Sequence, residues 1–173
     1  GVFVRTSTSG ILSTEIAYRE RDAATGALPA WLRFDQTHDN ASLARYVRLA
    51  LGLQGPAWVI STACSSSAKA YACAARLIAL DVIDAAVVGG ADSLCLTTLY
   101  GFNALELLSP DICRPWDVHR SGLSLGEAAS FALLQRESEA ACDWLLGHGE
   151  SSDGHHMSAP HPEGAGAAQA MRL

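Results

Sequence analysis

Trp58-Val59-Ile60-Ser61-Thr62-Ala63-Cys64-Ser65-Ser66-Ser67, running on into Ala68-Lys69-Ala70-Tyr71-Ala72-Cys73-Ala74-Ala75, decides how this chain is read. A short apolar, β-forming run breaks into small hydroxyl residues around one cysteine, and a long small-residue helix pattern follows at once. That order places the Cys64 sulfur at a strand-to-helix junction. Free backbone N–H groups and the positive end of the helix dipole favour negative charge there. An anionic sulfur attacks carbonyls and thioesters. The same position also suits an inert buried cysteine, and position alone leaves the two readings open.

Outward from this junction the chain alternates helix and strand patterns. Gly1 to Thr6 reads as a strand, Ile11 to Glu20 as a helix and Asp22 to Pro29 as a loop. Asn40 to Leu51 reads as a helix capped by Asn40 or Ser42, with Leu43, Tyr46, Val47 and Ala50 as its apolar stripe. Ala57 to Ser61 is expected to be a buried strand and Ser65 to Leu80 a closely packed helix. Asp84 to Val88 is expected to be a second buried strand ended by Gly89-Gly90, with a helix from Leu94 to Leu108. Arg114 to Gly126 has loop composition, Ala128 to Gln135 reads as a third buried strand, and Ser138 to Leu145 reads as helical. Gly147 to Gly166 reads as loop and carries four of the six histidines. Alternation of this kind predicts an α/β fold with a parallel sheet.

Composition bounds the function. Of the 173 residues, 49% are hydrophobic and 17% charged, enough to build a large core and too apolar for a disordered chain. A net charge of −6 argues against a nucleic-acid or anionic-membrane surface. No apolar run reaches transmembrane length and no signal-peptide pattern opens the chain. The cysteines are Cys64, Cys73, Cys95, Cys113 and Cys142, an odd number without a C-x-x-C pair. A disulfide framework or cysteine zinc site is therefore not expected, and a reducing cytoplasm is. His148, Asp153, His155, His156 and His161 supply metal donors but no compact ligand motif, so no metal is expected. Ser65, Ser66 and Ser67 lack a G-x-S-x-G frame and read as helix-start residues. Gly89-Gly90 lacks the G-x-G-x-x-G frame of a dinucleotide site.

Four motifs, in order, resemble the β-ketoacyl-acyl-carrier-protein synthases, the condensing enzymes of fatty acid and polyketide assembly. Thr62-Ala63-Cys64-Ser65-Ser66 is similar to the active-cysteine motif, and Val87-Val88-Gly89-Gly90-Ala91-Asp92 to the strand and glycine turn after the active-cysteine helix. Arg114-Pro115-Trp116-Asp117, Arg120-Ser121-Gly122 and Gly126-Glu127-Ala128-Ala129 resemble the R-P-F/W-D, R-x-G and G-E-G-A segment. Ser151-Ser152-Asp153 through His156 to Pro160, then Pro162-Glu163-Gly164, resembles the S-D-x-x-H loop.

The resemblance implies a thiolase-like layered fold, of which residues 1–173 form one partial domain, mostly its N-terminal half. It implies decarboxylative Claisen condensation with Cys64 as the acyl-accepting nucleophile and Phe102 lining the acyl pocket. Glu127 is implied near the active site, holding loops, and Asp117 and Arg120 could pair to fix their loop. No cofactor is implied, since the substrates carry their own phosphopantetheine. The implied partners are an acyl carrier protein and a second copy in a homodimer. The family's two active-site histidines, its lysine and its C-terminal oxyanion segment lie in stretches beyond Leu173, and Gly126-Glu127-Ala128 replaces the usual G-E-G. The alternative expectation is an inactive piece of such an enzyme, or a non-catalytic partner subunit.

Overall fold

The computed structural model describes residues 1–137, 141, 143–156 and 159–173. The fold is built around one strand whose apolar side chains are fully buried. β1 (Val2–Arg5) lies in the middle of a four-stranded sheet of order β2-β1-β3-β4. It pairs in parallel with β2 (Ala57–Ile60) on one side and β3 (Ala85–Asp92) on the other. β4 (Ala128–Gln135) joins β3 antiparallel, from Ala85 opposite Gln135 to Asp92 opposite Ala128. The sheet is therefore mixed, and the expectation of an all-parallel sheet is corrected at this one edge.

The two-residue period of β1 divides its side chains between two cores. Phe3 points to the face covered by α3 (Ser66–Ala79), packing with Ala74, Ile78, Ile83, Ala86 and Val88. Val2 and Val4 point to the face covered by α2 (Ala41–Ala50), where they meet Ala44 and Val47. All three β1 side chains are fully buried. Ala70, Ala72 and Ala74 are buried too, so the small residues of α3 bring that helix close to the sheet. The stripe expected on α2 is corrected. Val47 is buried and Leu43 partly so, but Tyr46 and Ala50 face solvent and Ala44 takes the buried position. Neither Asn40 nor Ser42 caps α2 through its side chain; Asp39 does, its Oδ1 accepting from the Ala41 N–H at 3.0 Å.

The outer strands are less buried than their apolar composition suggested. β2 is an edge strand, and Trp58 is half exposed while its ring meets Phe3 edge-on at 5.4 Å. β4 is exposed along nearly its whole length, with only Leu134 partly buried against the Phe3 core. Among the described residues α3 alone reaches it, so its other side chains pair across the ladder without a covering layer. Gly89 and Gly90 do not end β3 but lie inside it. At Gly89, φ is +153°, and an added Cβ would come 2.1 Å from the Ser130 carbonyl oxygen, so glycine lets β4 pair closely.

α1 (Ile11–Arg19) matches its expected span, whereas α4 (Leu96–Ala104) stops earlier than expected. Glu106 turns left-handed just past its end, and Leu108 then bridges to Leu123. Of the helix expected over Ser138 to Leu145, residues 138–140 and 142 lie outside the described residues and the rest are not helical. A helix not anticipated from sequence, α5 (Ala165–Arg172), follows the histidine-bearing loop. Glu150 ties that loop to α3 through ion pairs with Lys69 at 3.0 Å and with Arg76.

Phe3 joins the central strand to both α3 and the edge-strand Trp58, so Phe3→Ala opens a cavity under the sheet. It is expected to lower unfolding stability by about 3–5 kcal/mol in urea titration.

Candidate functional site

Open α/β sheets gather ligands at the carboxyl ends of their parallel strands. Here three such ends converge. β1 ends at Arg5, β2 leads into the turn holding Cys64, and β3 ends at Asp92. Arg5, Cys64 and Asp92 all line one cavity of about 690 Å³. Phe102 of α4 lines the same cavity, together with Leu105.

The Cys64 turn is built by hydroxyl groups. Ala63 takes φ +53°, a left-handed conformation costly for a residue with a Cβ. The Thr62 N–H donates to Ser66 Oγ at 2.7 Å, and the Ser66 hydroxyl donates to the Ala63 carbonyl at 2.6 Å. The Ser65 hydroxyl donates to the Thr62 carbonyl at 2.9 Å. Ser65 and Ser66 therefore start α3, as their position suggested, but their hydroxyls reach back to hold the elbow. The result presents Cys64 exposed at the cavity, two residues before the first turn of a 14-residue helix. The other described cysteines sit differently: Cys95 is buried with its sulfur 3.0 Å from Thr98 Oγ1, and Cys73 and Cys113 are partly buried. Cys142 lies outside the described residues.

Asp92 organises another part of the cavity lining. Its Oδ1 accepts from the Ser7 N–H at 2.7 Å, the Thr6 hydroxyl at 3.1 Å, and the Thr8 N–H and hydroxyl, both at 3.3 Å. Its Oδ2 accepts from Arg5 Nη1. Arg5 Nε also donates to Ser67 Oγ at 3.1 Å, linking the end of β1 to the first turn of α3.

Sequence reasoning missed Arg5, Asp92 as a site residue, and Glu15. Glu15, on α1, supplies the cap that α4 lacks locally. Its carboxylate accepts from the Leu96 N–H at 3.0 Å, the Thr97 N–H at 2.7 Å and the Thr97 hydroxyl at 2.6 Å. The available signal was negative: Cys95 precedes α4 where a capping side chain would stand.

The remaining expected residues fall outside this cavity. Glu127 Oε2 accepts from the Leu94 N–H at 3.2 Å, and Glu127 lines an adjoining cleft beside Asp92 and Ser93. Asp117 and Arg120 do not join carboxylate to guanidinium. Arg120 Nη1 donates to the Asp117 backbone carbonyl at 3.0 Å, while Asp117 Oδ1 accepts from the His119 N–H at 2.7 Å. Both are exposed, so water competes for the charges and the backbone carbonyl is the better-placed acceptor. In the histidine loop Asp153 accepts from the backbone N–H groups of His161 and His155, which hold its carboxyl below the ordinary value. Among the described residues, no three His, Cys, Asp or Glu stand where they could hold a metal, and no helix is long and apolar enough to cross a membrane.

Residues 1–140 match the family described as "Beta-ketoacyl synthase, N-terminal domain". The chain is 35% identical over 150 residues to 3-oxoacyl-[acyl-carrier-protein] synthase 2 of Rhizobium meliloti (strain 1021), covering 75% of this chain and 36% of that protein. It is 32% identical over 171 residues to Nodulation protein E of Rhizobium meliloti, covering 95% of this chain and 42% of the relative. Among solved structures it resembles a ketosynthase, ApeO, in complex with its chain length factor, ApeC, from Xenorhabdus doucetiae. There the TM-score is 0.80 at 40% identity, over 99% of this chain and 43% of that one. The chain thus spans well under half the length of these relatives.

Burial alone would raise the Glu15 carboxyl, but hydrogen bonds from Thr97 and Leu96 and the charge of Arg19 outweigh it, so it sits below the ordinary 4.5. A depressed folded-state value stabilises the protein above the unfolded value and is lost as pH falls through the folded one. Glu15→Gln is therefore expected to melt below the wild type at about pH 7, and the difference is expected to shrink as pH falls below the ordinary carboxylate range and through the lowered folded-state value, read by thermal unfolding.

Proposed function

The chain belongs to the β-ketoacyl synthase family, and from that premise we propose that Cys64 is the acyl-accepting nucleophile of a condensing enzyme of fatty acid or polyketide assembly. One observation carries this reading. Among the described residues Cys64 is the one exposed cysteine, set on a hydroxyl-braced elbow and opening into a cavity that Phe102 shares.

In the proposed reaction the Cys64 sulfur attacks the carbonyl carbon of an acyl thioester. The new carbon–sulfur bond replaces the one to the carrier sulfur, which leaves as a thiol with the proton from Cys64. A malonyl thioester then loses carbon dioxide, and the resulting carbanion attacks the acyl carbon and releases Cys64. The first step exchanges one thioester for another of similar energy, and the covalent intermediate divides a difficult condensation into easier steps. The amino end of α3 favours the negative charge that develops at the sulfur. Phe102 and Leu105 give the hydrocarbon part of the acyl group an apolar wall.

Glu127 would act by fixing the strand-to-helix connection at Leu94 through its hydrogen bond. Asp117 and Arg120 would shape their own loop. The proposed substrates are carrier-bound acyl and malonyl thioesters, with an acyl carrier protein as partner and with no cofactor beyond the carrier's phosphopantetheine. A second subunit of the same fold, in a homodimer, is proposed as well. The solved complex of the ketosynthase ApeO with its chain length factor ApeC lends support to a paired assembly.

Incubation with a small acyl thioester, followed by peptide mass spectrometry, is expected to place the acyl group on Cys64, with Cys73, Cys95 and Cys113 at least about tenfold slower. Cys64→Ser is expected to abolish that adduct. Equal labelling of Cys73 or Cys95 would refute the assignment.

A further inference from the structure

Resting on the reading of Cys64 as acyl acceptor, we propose that Arg5 is a specificity-determining residue, which selects acyl chains carrying an acceptor oxygen close to the thioester over plain hydrocarbon chains. The placement of Arg5 comes from the sheet. Its strand ends between those leading to Cys64 and Asp92, in register with Ile60 and Gly90. Its stem lies over Gly90, where an added Cβ would stand 2.6 Å from Arg5 Cγ and 3.1 Å from Cδ. The strand glycine thus leaves the room that directs the guanidinium toward the cavity.

The hydrogen-bond inventory at that wall is unbalanced in favour of donors. Both oxygens of Asp92 are engaged: Oδ1 by Thr6, Ser7 and Thr8, and Oδ2 by Arg5. A guanidinium carries five N–H donors in a rigid fork. Arg5 gives one from Nη1 to Asp92 and one from Nε to Ser67, and Nη2 takes no partner among the described residues. Unspent donors therefore remain on a side chain that lines the same cavity as the nucleophile and is only partly exposed.

A hydrocarbon chain lying against this wall removes water from those donors and returns nothing, whereas a chain with a hydroxyl or carbonyl oxygen replaces the lost hydrogen bond. Sites built to hydrogen-bond a substrate oxygen reject the analogue lacking it far more strongly than apolar pockets distinguish one methylene. Phe102 and Leu105, which line the same cavity, receive the remaining carbons. The cavity lining thus offers both polar donors and apolar side chains, and an oxygenated acyl chain matches both.

The test uses the full chain and two four-carbon thioesters of N-acetylcysteamine, butyryl and 3-hydroxybutyryl. The rate of Cys64 acylation is followed by intact-mass spectrometry, and each rate is divided by that of the same ester with glutathione, which removes intrinsic reactivity. The wild type is expected to favour the hydroxylated ester by about tenfold or more. In Arg5→Met the preference is expected to fall to within about twofold, and in Arg5→Lys, which keeps the charge but loses the fork, to an intermediate value. The wild-type ratio decides the matter even where Arg5→Met does not fold. A wild-type ratio near one, or a preference that survives Arg5→Met, overturns the role of Arg5 alone. Failure of both esters to acylate Cys64 overturns the nucleophile assignment and this inference with it.

Discussion

Everything at the site hangs on one carboxylate. Asp92 stands at the end of β3 and collects the donors that the end of β1 sends out: two hydroxyls, two backbone N–H groups and a guanidinium. Thr6 and Thr8 are buried, so their groups would be costly to leave unpaired. Asp92 satisfies them and turns the chain leaving β1 into a fixed wall. Ser93 extends the lock, its N–H donating to Thr8 Oγ1 at 2.9 Å and its hydroxyl to the Ser9 carbonyl at 3.2 Å. Two strand ends are thereby joined through side chains where the sheet ladder stops.

The elbow beside it follows the same logic at smaller scale. A left-handed Ala63 costs on the order of 1–3 kcal/mol, and it persists where surrounding contacts over-determine it. Ser65 and Ser66 provide those contacts, and fully buried Ser66 both accepts from Thr62 and donates to Ala63. Small hydroxyl residues around a cysteine are therefore not filler. They are short enough to fold back on the backbone, and any larger side chain at Ser66 would press into the start of α3.

This explains what the sequence could and could not disclose. The strand–elbow–helix order around Cys64 was legible because it is local. Apolar β-formers, hydroxyls and a run of small helix residues stand side by side, and β1, α1 and α3 were placed within a residue or two for the same reason. Phe102 was legible only through its motif, yet α4 does bring it to the Cys64 cavity. Burial of β2 and β4 was misjudged because apolar composition reports what a strand is able to bury, not whether a layer covers it. Gly89-Gly90 looked like a strand end because glycine usually punctuates, whereas here it serves close pairing with β4 and the passage of the Arg5 stem. Arg5, Glu15 and Asp92 were invisible for one shared reason. Arg5 meets Asp92 across 87 residues of sequence, and Glu15 meets Thr97 across 82, contacts no local pattern encodes.

Those long-range pairs also divide the labour among elements. The ends of β1 and β3 supply polar atoms, because strand ends leave backbone groups without ladder partners and attract side chains that satisfy them. α4, capped from outside by Glu15, brings Thr97, Thr98 and Phe102 to the cavity, and Leu105 just past its end adds a further apolar side chain. The β2–α3 elbow brings the sulfur to the same cavity. The strand order β2-β1-β3 places the end of β1, and Arg5 with it, between the strand leading to the cysteine and the strand ending at the aspartate, so topology brings all three to one cavity.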